Sequence, residues 1–338
     1  MYPRFDRATA LSMLDPPTHN EADHHLGALA KKNRLRSPYS FANINLLGRC
    51  NVDCYFCLGK DLDTEYSRHR NLGEHFSNWQ RWNDFIAVVK ALEIPWVFVT
   101  GQNTDSLTYS RLGELLKHLR SIGLKAGIRT NGVLAKKLID TVNLAQSVSY
   151  SIHTRDPETQ RRIMGITEVP DWDWLLRNTI CDRLRVAVVL NRYNRQEIYD
   201  LLEWLGTFDR IGYVQVRKIC TDNRYELLRQ DMQIFEDFEQ EVAAKFPVAR
   251  IFETANVYLM FGREVAFWRT VATTVNSVNY FTNGTLTGNY FIVEGYSEQN
   301  LIPLGTTEFL SPDGLTFSWL KRDGKLADAR EALLPARG

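Results

Sequence analysis

The stretch Ile44-Asn45-Leu46-Leu47-Gly48-Arg49-Cys50-Asn51-Val52-Asp53-Cys54-Tyr55-Phe56-Cys57 decides the reading of this 338-residue chain. It gathers most of the five cysteines into the spacing Cys-x-x-x-Cys-x-x-Cys. Three thiolates on one short loop can each hold one iron of a four-iron, four-sulfur cluster and leave the fourth iron open to an outside ligand. A zinc site and buried structural cysteines are the alternatives. Zinc asks for four ligands, and a fourth would have to come from a distant residue such as His153 or His118. Five cysteines are too few for a disulfide scaffold, and their clustering favours metal chemistry in a reducing compartment.

Working outward, alternating apolar residues at 41–47 predict a strand that runs straight into the cysteine loop. Further strands are expected at 96–100, 125–129, 147–152, 184–190 and 212–219. Helices are expected between them at 79–92, 109–122, 135–142, 157–163, 172–178 and 197–208. Strand and helix in alternation imply a parallel sheet. The first 40 residues are polar and broken by Pro3, Pro16, Pro17 and Pro38, with a short helix around 21–32, and read as a leader packed on the outside. After a helix at 229–246, the aromatic, Thr- and Asn-rich segment 250–319 turns at Gly284, Gly288 and Gly295. Short strands and loops closing the mouth of the sheet are expected there, and a frayed tail from Lys321.

Lys plus Arg total 41 against 40 for Asp plus Glu, so a net charge of +1 offers no bulk attraction to nucleic acid or anionic membrane. No apolar run approaches the roughly 18 residues of a membrane span, and the first residues lack an export signal. A soluble, cytoplasmic protein is the expectation.

The cysteine loop and the motifs that follow it in order resemble the radical S-adenosylmethionine (SAM) superfamily, of the single-cluster type, over about residues 41–220. The resemblance implies an α/β fold, a partial (β/α)6 TIM-like barrel at 41–220. The leader is 1–40, and 221–338 forms a carboxyl-terminal capping extension over the barrel mouth. It also implies that Cys50, Cys54 and Cys57 bind a [4Fe-4S] cluster whose open iron is chelated by SAM. One electron then splits SAM to a 5'-deoxyadenosyl radical, chemistry supplied by the cofactor rather than by a side chain. A flavodoxin- or ferredoxin-type partner would donate the electron.

Phe56 fills the position of the family's aromatic residue before the last cysteine, whose backbone meets the adenine. Where the family usually has Gly-Gly-Glu-Pro, this chain reads Thr100-Gly101-Gln102-Asn103-Thr104-Asp105. Gly101, Gln102 and Asn103 would contact SAM there, although Gln102 and Asn103 bring no negative charge. Asn131, in Ile128-Arg129-Thr130-Asn131-Gly132, matches the family's Thr-Asn-Gly and would bond the ribose or carboxylate of SAM. Ser151 and His153 alternate on one side of the next strand. Ser151 would face SAM, His153 would face substrate or move a proton, and Arg162 would pair with the methionyl carboxylate. His153 stands where the family often has Asp.

Asn191 follows the fifth strand near the expected ribose position. On the sixth strand Val214 and Val216 would flank adenine if they face inward, with Lys218 and Cys220 near the mouth. Cys220 is a candidate hydrogen donor to a substrate radical, the alternative being a small buried residue. The aromatic residues Tyr258, Phe261, Phe267, Trp268, Tyr280, Phe281, Tyr290 and Phe291 are read as core or as a cap on the cavity. Few basic residues accompany them, which argues against base stacking on RNA.

The leading reading is a radical SAM enzyme acting on a small molecule by epimerisation, dehydration, decarboxylation or rearrangement. A peptide or RNA modifier is the second. Peptide-maturing relatives often carry a cysteine-rich carboxyl-terminal domain, and this chain has no cysteine after Cys220. A metal-binding or electron-transfer protein without catalysis is the third.

Overall fold

The computed structural model describes residues 2–14, 41–62, 70–219, 224–252, 255–268, 277–287, 307–310, 317–320 and 326–328. Six strands form its centre: β1 (Phe41–Leu46), β2 (Trp96–Gly101), β3 (Lys125–Thr130), β4 (Ser147–Ser151), β5 (Arg183–Val189) and β6 (Ile211–Arg217). They pair in sequence order and all in parallel. Crossover helices connect them, as parallel neighbours require. These are α2 (Trp82–Ala91), α3 (Leu112–Ser121), α4 (Ile139–Val142), α5 (Pro157–Met164), α6 (Trp172–Asn178) and α7 (Ile198–Gly206). The leader contributes α1 (Arg7–Ser12), which packs on α2 through buried Ala10.

Local chemistry sets the helix ends. In α5, Asp156 accepts the Thr159 N–H at 2.7 Å, Pro157 occupies the first turn, and Gly165, at φ 74°, ends the helix by donating to Arg161 O. The expected helix at 135–142 is shorter than its apolar spacing suggests. Gly132, at φ 80°, and the turns after it leave regular helix only at Ile139–Val142. The expected leader helix at 21–32 lies outside the described residues.

Beyond residue 220 come α8 (Tyr225–Lys245), β7 (Val248–Phe252), β8 (Ala255–Met260), β9 (Arg263–Trp268), β10 (Ser277–Phe281) and β11 (Leu286–Thr287). These strands continue the sheet sideways: β9 joins β6 in parallel, and β10 joins β1 in parallel. The order is β11-β10-β1-β2-β3-β4-β5-β6-β9-β8-β7, an open barrel whose ends do not meet. The strands β7–β11 of the extension therefore lie at the two edges of the sheet, while the start of α8 reaches the carboxyl end of the barrel. Three short strands, Thr307–Leu310, Phe317–Leu320 and Leu326–Asp328, pair separately.

The two faces of the sheet differ. Ile44, Val99, Ile128, Val148, Val186 and Val216 are buried in one continuous core with helix residues such as Phe85, Leu115 and Leu205. Val216 thus faces the helices and not the lumen, which corrects the expectation that Val214 and Val216 flank adenine. Strand alternation defines which residues share a face but not which face is inside. The lumen face carries Asn43, Asn45, Phe98, Ser149 and Arg185 instead.

Candidate active site

The cysteine loop leaves β1 at its carboxyl end and is gripped from three sides. The Asp53 and Tyr55 N–H groups donate to Met164 O and Ile163 O, at 2.9 and 3.1 Å, on the last turn of α5. From the turn after β2, Asn103 Oδ1 accepts the Gly48 N–H at 2.9 Å and Thr104 Oγ1 donates to Arg49 O at 2.9 Å. From the start of α8, Arg224 donates to Tyr55 O and Cys57 O at 2.7 Å each while forking onto buried Asp61 at 2.7 and 2.9 Å.

Each of the three thiols is half-buried and unbonded to another cysteine. Burial pushes all three up from the ordinary thiol range, Cys50 to about 11, and nearby thiols raise Cys50 and Cys54 further. As bare thiols they stay protonated at neutral pH, and a metal that takes them as thiolates must displace those protons. Among the described residues no three His, Cys, Asp or Glu side chains are grouped around one point for a single ion. A cubane makes a different demand, because each thiolate holds a separate iron. The Cys57 sulfur also accepts the Gly59 N–H at 3.3 Å.

A buried carboxylate ties the turn after β2 to the end of β3, and through Asn131 supports the cysteine loop. Asp105 accepts from Leu107 N–H at 2.9 Å, Thr130 Oγ1 at 2.8 Å and Asn131 N–H at 2.6 Å. Burial raises its pKa and these donors oppose the rise. Asn131, oriented in this way, donates to Asn51 Oδ1 at 2.8 Å and lies 3.9 Å from the Cys50 sulfur. The Asn51 amide nitrogen is buried without a partner among the described residues. An orphaned donor next to Cys50 fits a ligand that brings acceptors to this point. Gly101 makes the turn after β2 possible, since a Cβ there would fall 1.8 Å from Thr104 O.

Several expected contacts are committed elsewhere. The Gln102 amide donates to Asn45 at 2.9 Å, and the Asn103 oxygen is held by Gly48, so the two side chains brace the loop from beneath. Arg162 is exposed and bonds Glu158 one turn back at 3.0 Å, which corrects its assignment to a SAM carboxylate. Asn191 closes its own turn, donating to Val189 O and accepting from Tyr193 N–H, both at 2.9 Å. Ser151 is half-buried at the carboxyl end of β4, opposite Ala187. Cys220, Tyr290 and Phe291 lie outside the described residues. Tyr258, Phe267, Tyr280 and Phe281 are core. His118 bonds the Tyr2 hydroxyl on the helical layer.

Phe56 meets His153 edge to face at 5.3 Å and packs with Ile219, Leu228 and Met232. His153 is buried, and its Nδ1 accepts the Val189 N–H at 3.1 Å, so the ring is a neutral brace with its proton on Nε2. Burial, helped by the Arg217 charge, holds its pKa down at about 4 against an ordinary 6.5. This corrects the reading of His153 as a proton carrier near neutral pH. Between those two values the unfolded chain binds a proton that the folded chain refuses, so stability falls as pH drops through that window. The loss is on the order of 3 kcal/mol. Urea unfolding of His153→Gln should show a visibly flatter dependence over this window than the wild type; equal slopes would remove His153 as the cause.

Sequence reading missed Asp105 as an organiser and Arg224 altogether. Asp105 had a local signal, an acidic residue capping the turn Ser106–Thr108. Arg224 had none, since its partner Asp61 is 163 residues away.

A three-thiol loop at the carboxyl ends of an open parallel β/α barrel defines the class of this protein. No protein-family model matches the chain. It is 21% identical over 204 residues to a GTP 3',8-cyclase of Aquifex aeolicus, covering 57% of this chain and 61% of the relative. It is 25% identical over 174 residues to a GTP 3',8-cyclase of Microcystis aeruginosa, covering 48% and 51%. The chain thus spans about half to three-fifths of the length of these curated relatives. Among solved structures it superposes on Streptococcus suis SuiB bound to S-adenosylmethionine with a TM-score of 0.52 at 14% identity, over 83% of this chain and 68% of that one. The same TM-score relates it to SuiB bound to its precursor peptide SuiA. The cysteine series, the fold and the two curated relatives support a radical SAM superfamily member, and enzymes of that superfamily use a [4Fe-4S] cluster and SAM. Among the described residues no helix is long and apolar enough to cross a membrane.

Proposed function

We propose that this chain cleaves SAM reductively and directs the resulting radical at a small-molecule substrate. A cluster on Cys50, Cys54 and Cys57 would supply the electron, and SAM the 5'-deoxyadenosyl radical that takes hydrogen from an unactivated carbon. The chain's own part is to hold and orient. Asp105 and Arg224 fix the thiol loop against β2, β3 and α8, and Asn131 and Asn51 offer amide donors beside Cys50. Gly101 lets the backbone turn close to the loop, and the Phe56 ring is braced edge to face by buried His153. The observation that carries the reading is the three-thiol loop at the open end of a barrel with a polar inner face.

Two curated relatives named for a reaction of GTP support a small molecule over a peptide. A flavodoxin- or ferredoxin-type protein is the proposed reductant. The test is anaerobic: reconstituted protein, dithionite and SAM should release 5'-deoxyadenosine and methionine. Cluster-loaded protein that is reduced and still releases none would overturn the proposal.

A further inference from the structure

The inner face of the barrel carries a cationic row that the cluster does not explain. Parallel register sets Arg129 beside Ser149, Ser149 beside Arg185, and Arg185 beside Tyr213, across β3 to β6. Phe98 stands between two of these cations, its ring centroid 5.1 Å from the Arg129 guanidinium and 5.2 Å from that of Arg185. The ring lies over Gly127, where a Cβ would meet it at 2.5 Å, so the absence of a side chain there lets Phe98 position both arginines.

Arg185 is the informative member. Its Nη1 donates to the Tyr213 hydroxyl at 3.2 Å, while Nε and Nη2 are buried with no partner among the described residues. Nor do the described residues give Arg185 or Arg217 a carboxylate within ion-pair distance. A guanidinium buried with part of its fork unmet is costly, and the ligand that answers its geometry is a planar or tetrahedral oxyanion. The Ser147 hydroxyl on the same face is also buried and has no partner among the described residues. Arg217, beside Val189 at the carboxyl end of the sheet, extends the positive potential toward the cysteine loop.

We infer that the lumen binds a substrate through a phosphate or carboxylate group, with Arg185 Nε and Nη2 as the anchoring fork. Arg185 lies four residues below the end of β5, so the anchored group sits about 13 Å beneath the strand ends. The rest of the substrate then reaches up toward the cysteine loop, where hydrogen would be taken. This inference rests on the proposed function for its direction, but the anion site can be read without turnover.

Calorimetric titration of the anaerobically reconstituted full chain with inorganic pyrophosphate and with malonate, in the absence of SAM and reductant, tests it. Saturable binding of at least one is expected, and which of the two binds separates phosphate from carboxylate. Arg185→Met should weaken that affinity at least tenfold. Arg185→Lys, which keeps the charge but not the fork, should fall between, and serves if the methionine variant does not fold. No saturable binding of either anion to the wild type, or equal affinity in the Arg185 variants, would overturn the inference. Anion binding with no release of 5'-deoxyadenosine would instead count against the proposed function alone.

Discussion

Replacing Cys50, Cys54 and Cys57 together by alanine should abolish cluster assembly, as the proposed ligation requires. In anaerobic reconstitution the wild type should take up about four irons and four sulfides per chain, and the variant should stay at background with no release of 5'-deoxyadenosine. The fold itself should survive, because the loop is held by backbone and side-chain bonds that involve none of the three sulfurs: Asp53 and Tyr55 to α5, Gly48 and Arg49 to the turn after β2, and Arg224 to two carbonyls. Circular dichroism should therefore be unchanged. A triple variant that keeps full iron and sulfide would show that other ligands hold the cluster.

Arg224→Ala has the second largest expected effect, and it acts on stability and cluster retention together. The guanidinium is mostly buried, forks onto Asp61, and caps two carbonyls of the cysteine loop. Removing one partner of a buried ion pair typically costs about 3–5 kcal/mol. Two loop carbonyls lose their donor as well. The variant should melt at lower temperature and surrender iron to a chelator faster than the wild type. Arg224→Ala combined with Asp61→Asn should cost less than the sum of the two single changes, the signature of a direct pair. Strict additivity and an unchanged rate of iron loss would show that Arg224 does not secure the loop.

The sheet was legible because its signals are local. Each central strand has buried apolar residues at alternate positions and is followed by helix, and all six occur within a residue or two of where periodicity placed them. The cysteine loop was legible for the same reason. What the sequence concealed is long-range. The parallel attachment of β9 to β6 and β10 to β1 brings in strands from far along the chain, and nothing in their composition announces the partner. Val216 shows the limit of alternation, which pairs it with Val214 but leaves the face open. His153 was read for its intrinsic pKa, whereas burial beside Phe56 and Arg217 decides its state.

Arg162 could have been read correctly, since Glu158 lies four residues before it on the same helix and such pairs meet. Arg185 is the reverse case. A charge inside a central strand of a parallel sheet signals an inward-facing polar site, but its unmet donors become visible only once Ser149 and Tyr213 stand beside it.

Electron paramagnetic resonance of the reduced, cluster-loaded protein, recorded before and after adding SAM, tests the central claim most directly. An iron left open by the three-cysteine loop predicts a reduced-cluster signal whose g values shift when SAM binds. A cluster signal indifferent to saturating SAM, or protein that takes up one zinc and no iron, would contradict it.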